Sequence, residues 1–159
     1  DMRLKGSLPG ELGRIARRGG TLADYADARG LASMFVFPGH VAEPERILVA
    51  CDAVARPSRN NDPWGRETLE ALAAARPVIA VGTYDRFVET DATGVLLADY
   101  NPSAFAEVLL TFADNRPWCK KLGVAGQQRV MALCDGAARA NDLLDIWSQA
   151  AGSAPTMAV

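Results

Sequence analysis

The run PVIAV, residues 77–81, constrains this chain more than any other stretch. Five apolar residues stand in a row with no polar alternation. A strand with one face in water alternates apolar and polar residues. An unbroken apolar strand is the kind found inside a parallel sheet covered on both faces. The segments around it fit that setting. MRLK (2–5) predicts a first short strand ending at Gly6, and SMFVF (33–37), aromatic and β-branched, predicts a second, closed by Pro38-Gly39. DAVARPS (52–58) and GVLL (94–97) predict two more.

Helical spacing fills the intervals. GELGRIARR (10–18) stops at Gly19-Gly20. Thr21 reads as the N-cap of the next helix, with Asp24 completing a capping box and Gly30 ending it. Residues 43–51 place Ile47, Leu48 and Cys51 on one face, and residues 66–75 do the same for Leu69, Leu72 and Ala73. Asn101-Pro102 is a cap followed by proline at the first helical position. Phe105, Val108, Leu109 and Phe112 then share a face. Two more helices are expected near 117–133 and 138–150, the last with Ala140, Leu143, Leu144 and Trp147 at helical spacing. Trp147 and this helix read as core or as a lid.

Strand and helix alternating over short connections give an α/β fold: a Rossmann-like parallel sheet with helices on both faces. We expect one domain over 1–150 and a disordered tail over 151–159. The loops at 6–9, 38–42, 58–65 and 82–93 all follow strands. They gather on the edge where open α/β sheets bind ligands.

Composition narrows the chemistry. The 159 residues carry 17 Lys and Arg against 19 Asp and Glu, a net charge of −2 that gives no electrostatic case for nucleic acid. No apolar run is long enough to span a bilayer. The three cysteines, Cys51, Cys119 and Cys134, lack the spacing of a disulfide framework or zinc site and are expected to be reduced cytosolic thiols, Cys51 as a small buried hydrophobe. His40, the single histidine, excludes a multi-His metal site.

The stretch NDPWGRETLEALAAARPVIA (61–80) carries the most chemistry. A helix N-terminus near Gly65–Glu67 faces the ligand edge, and its free N–H groups favour an anion such as phosphate. Asp62 and Glu70 flank it, and carboxylates suit the hydroxyls of a sugar. From the residues alone, Asp62 could equally cap the helix and Glu70 be solvated.

PSRNNDPWGRETLEALAAARPVIA resembles the donor-site signature of family 4 glycosyltransferases, retaining enzymes of the GT-B fold. Pro57-Ser58, Pro63-Trp64-Gly65, Leu69-Glu70-Ala71 and Pro77-Val78-Ile79 fall in register with it. Asp62 and Glu70 have the family's seven intervening residues. MRLKGS, FVFPGHVAEPERILVACDAVARPS and GTYDRFVETDATGVLL extend the similarity to roughly residues 2–148. Two positions depart from it: Asp62 stands for the usual Glu, and Ala75 where Gly is frequent.

The resemblance implies the carboxy-terminal, donor-binding half of a GT-B enzyme. Glu70 would bind ribose hydroxyls and Asp62 those of the transferred sugar. Backbone around Gly65, Arg66, Glu67 and Thr68 would meet the diphosphate, and Val41 with His40 would lie beside the base. Arg59 and Arg66 are candidate phosphate contacts, or ordinary surface arginines. His40 could be a solvated loop residue, Trp64 could pack the turn, and Glu89 could be structural. No catalytic residue and no metal ligand is assigned, and no cofactor is required beyond the nucleotide-diphosphate sugar as donor.

The family's Gly-Arg and following Lys, cations for the leaving diphosphate, have no counterpart here. We therefore expect the first, central strand of the sheet to be missing, supplied with the acceptor domain by another segment or second chain. This chain alone would then be inactive. The expected partners are a nucleotide sugar and a glycan or lipid acceptor, in a bacterial cytoplasm or at the inner membrane face. A non-catalytic nucleotide-sugar-binding module is the alternative.

Overall fold

The computed structural model describes Leu4 and residues 7–63 and 65–152. The expected strand at 2–5 thus falls almost wholly outside the described residues, as do Trp64 and residues 153–159. The chain divides into two compact units, Asp1–Pro44 and Glu45–Val159.

The first unit holds helices α1 (Gly10–Arg17) and α2 (Leu22–Ala28). The capping box forms as read: the Asp24 N–H donates to Thr21 Oγ1 at 3.2 Å, and the Thr21 N–H donates to the Asp24 carboxylate at 2.7 Å. Those bonds lower the Asp24 pKa, the backbone one foremost. Arg29 reaches back to Glu11 at 2.9 Å and ties the two helices together.

The strand expected at 33–37 does not form. Ala32–Met34 make one 3-10 turn, and residues 35–39 are irregular. Met34 and Val36 are 74% and 89% exposed, and the Phe35 and Phe37 rings stack on each other at 5.9 Å. The residue types are right for a strand, but strand propensity depends on a pairing partner and a face to pack on. Among the described residues this segment has neither.

The second unit is built on three parallel strands: β1 (Val54–Arg56), β2 (Val78–Val81) and β3 (Gly94–Leu97), in the order β1-β2-β3. All four residues of β2 are fully buried, as the apolar run required. Alternation sends them to opposite faces. Ile79 and Val81 meet Phe105, Phe112, Cys119 and Leu122 on one face. Val78 and Ala80 meet Ala71, Leu72, Val88 and Val130 on the other.

Helices α3 (Pro44–Ala50), α4 (Arg66–Ala73), α5 (Pro102–Asp114), α6 (Arg116–Leu133) and α7 (Gly136–Gly152) complete the unit. Asn101 caps α5 as read, its side chain accepting from the N–H groups of Ser103 and Ala104. The α4 face differs from expectation: Thr68, Ala71 and Leu72 are buried while Ala73 is exposed. Helix α6 approaches the turn after α4 closely at Gly123, where a Cβ would stand 2.1 Å from the Ala75 carbonyl oxygen. No residue of α7 is buried, and Leu144, Ile146 and Trp147 are more than half exposed. The core reading of that helix therefore fails among the described residues. All three cysteines are free: Cys119 is buried, Cys134 exposed, and Cys51 only half-buried rather than buried.

Candidate functional site

The strands of the second unit run parallel, so their carboxy-terminal ends share one edge. Three segments of this unit leave that edge: the turn 57–65 after β1, the loop 82–93 after β2, and residues 98–101 after β3. The turn is shaped locally. Ser58 Oγ accepts from the N–H groups of Asn60 and Asp62, both at 3.2 Å, and Asn61 takes a positive φ of 51°. Pro63 is buried against Gly82, the first residue after β2. A Cβ at Gly82 would lie 2.6 Å from the Pro63 ring, and its φ of 148° disfavours any other residue. The end of β2 and the turn after β1 are fastened there.

Helix α4 then starts at Arg66 from an extended Gly65 that makes no side-chain cap. Asp62 is therefore not a helix cap. Its carboxylate belongs to Arg56, the last residue of β1. The Arg56 guanidinium donates through Nη2 to Asp62 Oδ2 at 2.7 Å and through Nε to the Asp62 carbonyl at 2.9 Å. Its Nη1 forms an ion pair with Glu67. Sequence reasoning missed Arg56. An arginine ending a three-residue strand reads as a solvated edge, and nothing in the spacing shows that the turn folds back over it.

The other expected residues fall as follows. The Thr68 side chain is buried and its N–H donates to the Gly65 carbonyl at 3.0 Å. Among the described residues, the N–H groups of Arg66 and Glu67 have no such backbone acceptor at the α4 start. Arg66 is exposed at the first helical position. Glu70 stands one turn on, exposed, beside Met131 of α6 and Cys134 just after it. Arg59 lies over the Tyr100 ring, 5.1 Å from its centroid, so it reaches the segment after β3. His40 and Val41 belong to the first unit, His40 exposed and Val41 half-buried.

Glu89 is held by α6. Arg129 Nη1 meets Glu89 Oε2 at 2.5 Å, while its Nε and Nη2 donate to the carbonyls of Arg86 and Asp85. The buried Thr93 hydroxyl accepts from the Glu89 N–H and donates to the Phe87 carbonyl, both at 2.9 Å. A cleft of about 420 Å³ runs along this loop between Gly82, Asp85, Glu89 and Leu96. A second cavity, about 440 Å³, lies at the opposite end of the strands between Asp52, Arg76, Arg116 and Cys119. Among the described residues no cluster of His, Cys, Asp and Glu is suited to a metal ion. No helix there is long and apolar enough to cross a membrane.

A parallel sheet with helices on both faces and a helix start without a side-chain cap after β1 define an open α/β domain. The glycosyl transferases group 1 family matches residues 19–129, and the chain belongs to that family. Two relatives are D-inositol 3-phosphate glycosyltransferases. The one from Corynebacterium diphtheriae is 33% identical over 119 residues, covering 74% of this chain and 27% of the relative. The one from Thermobifida fusca is 29% identical over 121 residues, covering 74% and 28%. This chain thus spans about a quarter of the length of the curated relatives it matches.

Among solved structures, Anabaena HepE in complex with UDP superposes with a TM-score of 0.73 at 23% identity, over 80% of this chain and 36% of that one. Sucrose-phosphate synthase from Thermosynechococcus elongatus superposes with a TM-score of 0.74 at 25% identity, over 93% and 37%. The sheet and its flanking helices are thus those of GT-B glycosyltransferases.

Proposed function

We propose that this chain is the carboxy-terminal, donor-binding domain of a retaining, family 4 glycosyltransferase. It would hold a nucleotide-diphosphate sugar along the turn and helix from Asp62 to Glu70. One observation carries the reading: the edge where parallel strands end presents, in order, a carboxylate, a helix start without a side-chain cap, and a second carboxylate one turn on.

The chemistry follows from that order. The open N–H groups of Arg66 and Glu67 and the helix dipole favour the diphosphate. Glu70 accepts from ribose hydroxyls and Asp62 from those of the sugar. His40 and Val41 are assigned to the base, and Arg59 and Arg66 to the phosphates. For Trp64 we keep only the assignment to the donor turn. UDP is the first nucleotide to try, because HepE has been crystallised with UDP and with UDP-glucose. The acceptor, a glycan or lipid, and the cations that stabilise the leaving diphosphate would come from another segment or second chain. The reaction needs no cofactor beyond the donor, and the setting is the bacterial cytoplasm.

The test is an NMR titration of the full chain with UDP and with GDP. At millimolar nucleotide, amide signals over 38–42 and 62–70 shift, and Glu70→Ala abolishes the response. A folded sample without shifts overturns the donor-site reading.

A further inference from the structure

The ground over Gly65 is already taken by a side chain. A Cβ built on Gly65 would lie 2.6 and 2.8 Å from the two Glu67 carboxylate oxygens, so that carboxylate folds back over the residue before the helix. Gly65 immediately precedes the N–H groups of Arg66 and Glu67. A phosphate approaching them must cross the same ground. The Glu67 carboxylate also pairs with Arg56, the cation at the end of β1. Arg56 is saturated by its own chain: Asp62 takes Nε and Nη2, and Glu67 takes Nη1. Its side chain is only 22% exposed, so it has little freedom to turn elsewhere.

We infer that Glu67 is a built-in competitor for the donor phosphates, and that Arg56 is the cation the two anions exchange. This rests on the donor-site reading above. The cluster of Arg56, Asp62 and Glu67 carries one positive and two negative charges. A diphosphate meets like-charge repulsion there while Glu67 stays in place. When Glu67 swings outward, the Nη1 side of Arg56 opens to a phosphate oxygen, while the two bonds to Asp62 keep the guanidinium aimed at the turn. Glu67 is exposed on the outer face of α4 and can swing without disturbing the core. The arrangement trades affinity for a site whose cation is always neutralised, and it lets one displaced carboxylate report that phosphate has arrived.

UDP and uridine are titrated at fixed ionic strength into the full chain and into the Glu67→Gln, Arg56→Gln and Glu107→Gln variants. We expect Glu67→Gln to bind UDP about fivefold more tightly, the scale of one partly exposed charge interaction. Arg56→Gln should bind it several-fold more weakly, and uridine should bind wild type and Glu67→Gln alike. Equal or weaker UDP binding by Glu67→Gln overturns it. So does an equal gain in Glu107→Gln, which removes the same charge from α5, or an equal gain for uridine. Absence of UDP binding in every protein overturns the donor-site reading itself.

Discussion

Cys119 shows how much one buried group depends on its neighbours. Its thiol is 4% exposed and donates to the Asp52 carbonyl at 3.4 Å. Burial pushes its pKa up, and the Asp52 carboxylate adds to the shift. A thiol whose pKa is raised by folding contributes stability that is complete below the unfolded pKa and is lost as pH rises through the folded value. Cys119 should therefore resist thiol reagents at neutral pH while Cys134 reacts, which mass spectrometry of the labelled chain measures. Stability should fall on the alkaline side of the ordinary thiol range, and Cys119→Ala should blunt that fall. At this scale the sequence was uneven. Asp62 and Glu70 stood out because the family resemblance singles out their separation. Arg56 did not, because its partners are six and eleven residues away through a turn whose path no periodicity encodes. Arg129 escaped for the same reason, its bonds spanning some forty residues.

At the scale of elements, the contact between Gly82 and Pro63 fixes where the turn after β1 sits. Gly82→Ala adds a methyl against the Pro63 ring and forces a disfavoured φ. We expect a loss of about 1–3 kcal/mol, read from urea denaturation midpoints, with amide shifts concentrated at 61–65 and 82–85. A variant as stable as wild type would show that the turn yields without strain. The elements best read from sequence were those with a complete local signal: the apolar β2 run, the Thr21 capping box and the Asn101-Pro102 start of α5. Each is decided by residues a few positions apart. The strand at 33–37 and the core reading of α7 failed because their residue types describe a demand for a partner. Whether the partner is present is a tertiary fact. The two residues of α7 that reach past 150 also mark that boundaries are softer than elements.

At the scale of the molecule, the second unit is built on a short parallel sheet with β1 at one edge and β3 at the other. Among the described residues β1 pairs only with β2. The proposed reaction needs cations for the leaving diphosphate and a place for the acceptor. Arg56, the guanidinium that ends β1, is held by two carboxylates. We expect the chain alone to show no transfer from UDP-glucose or another UDP-sugar in a radiolabel assay, even where UDP binds. Robust turnover by this chain alone would show that its own residues complete the catalytic set, and it would exclude the non-catalytic alternative.

Helix α6 has a consequence at a distance. Its eighteen residues make a rod about 27 Å long that serves both faces of the sheet, through Leu122 on one and Val130 on the other. Near its first turn Arg116 grips Asp52, ahead of β1. Near its last turns Arg129 grips Glu89, beyond the end of β2. Between them Gln127 donates to the Ala73 carbonyl at the end of α4. The rod is a lever with a handle at each end of the strands. One continuous helix thus ties the segment ahead of β1 to the loop after β2.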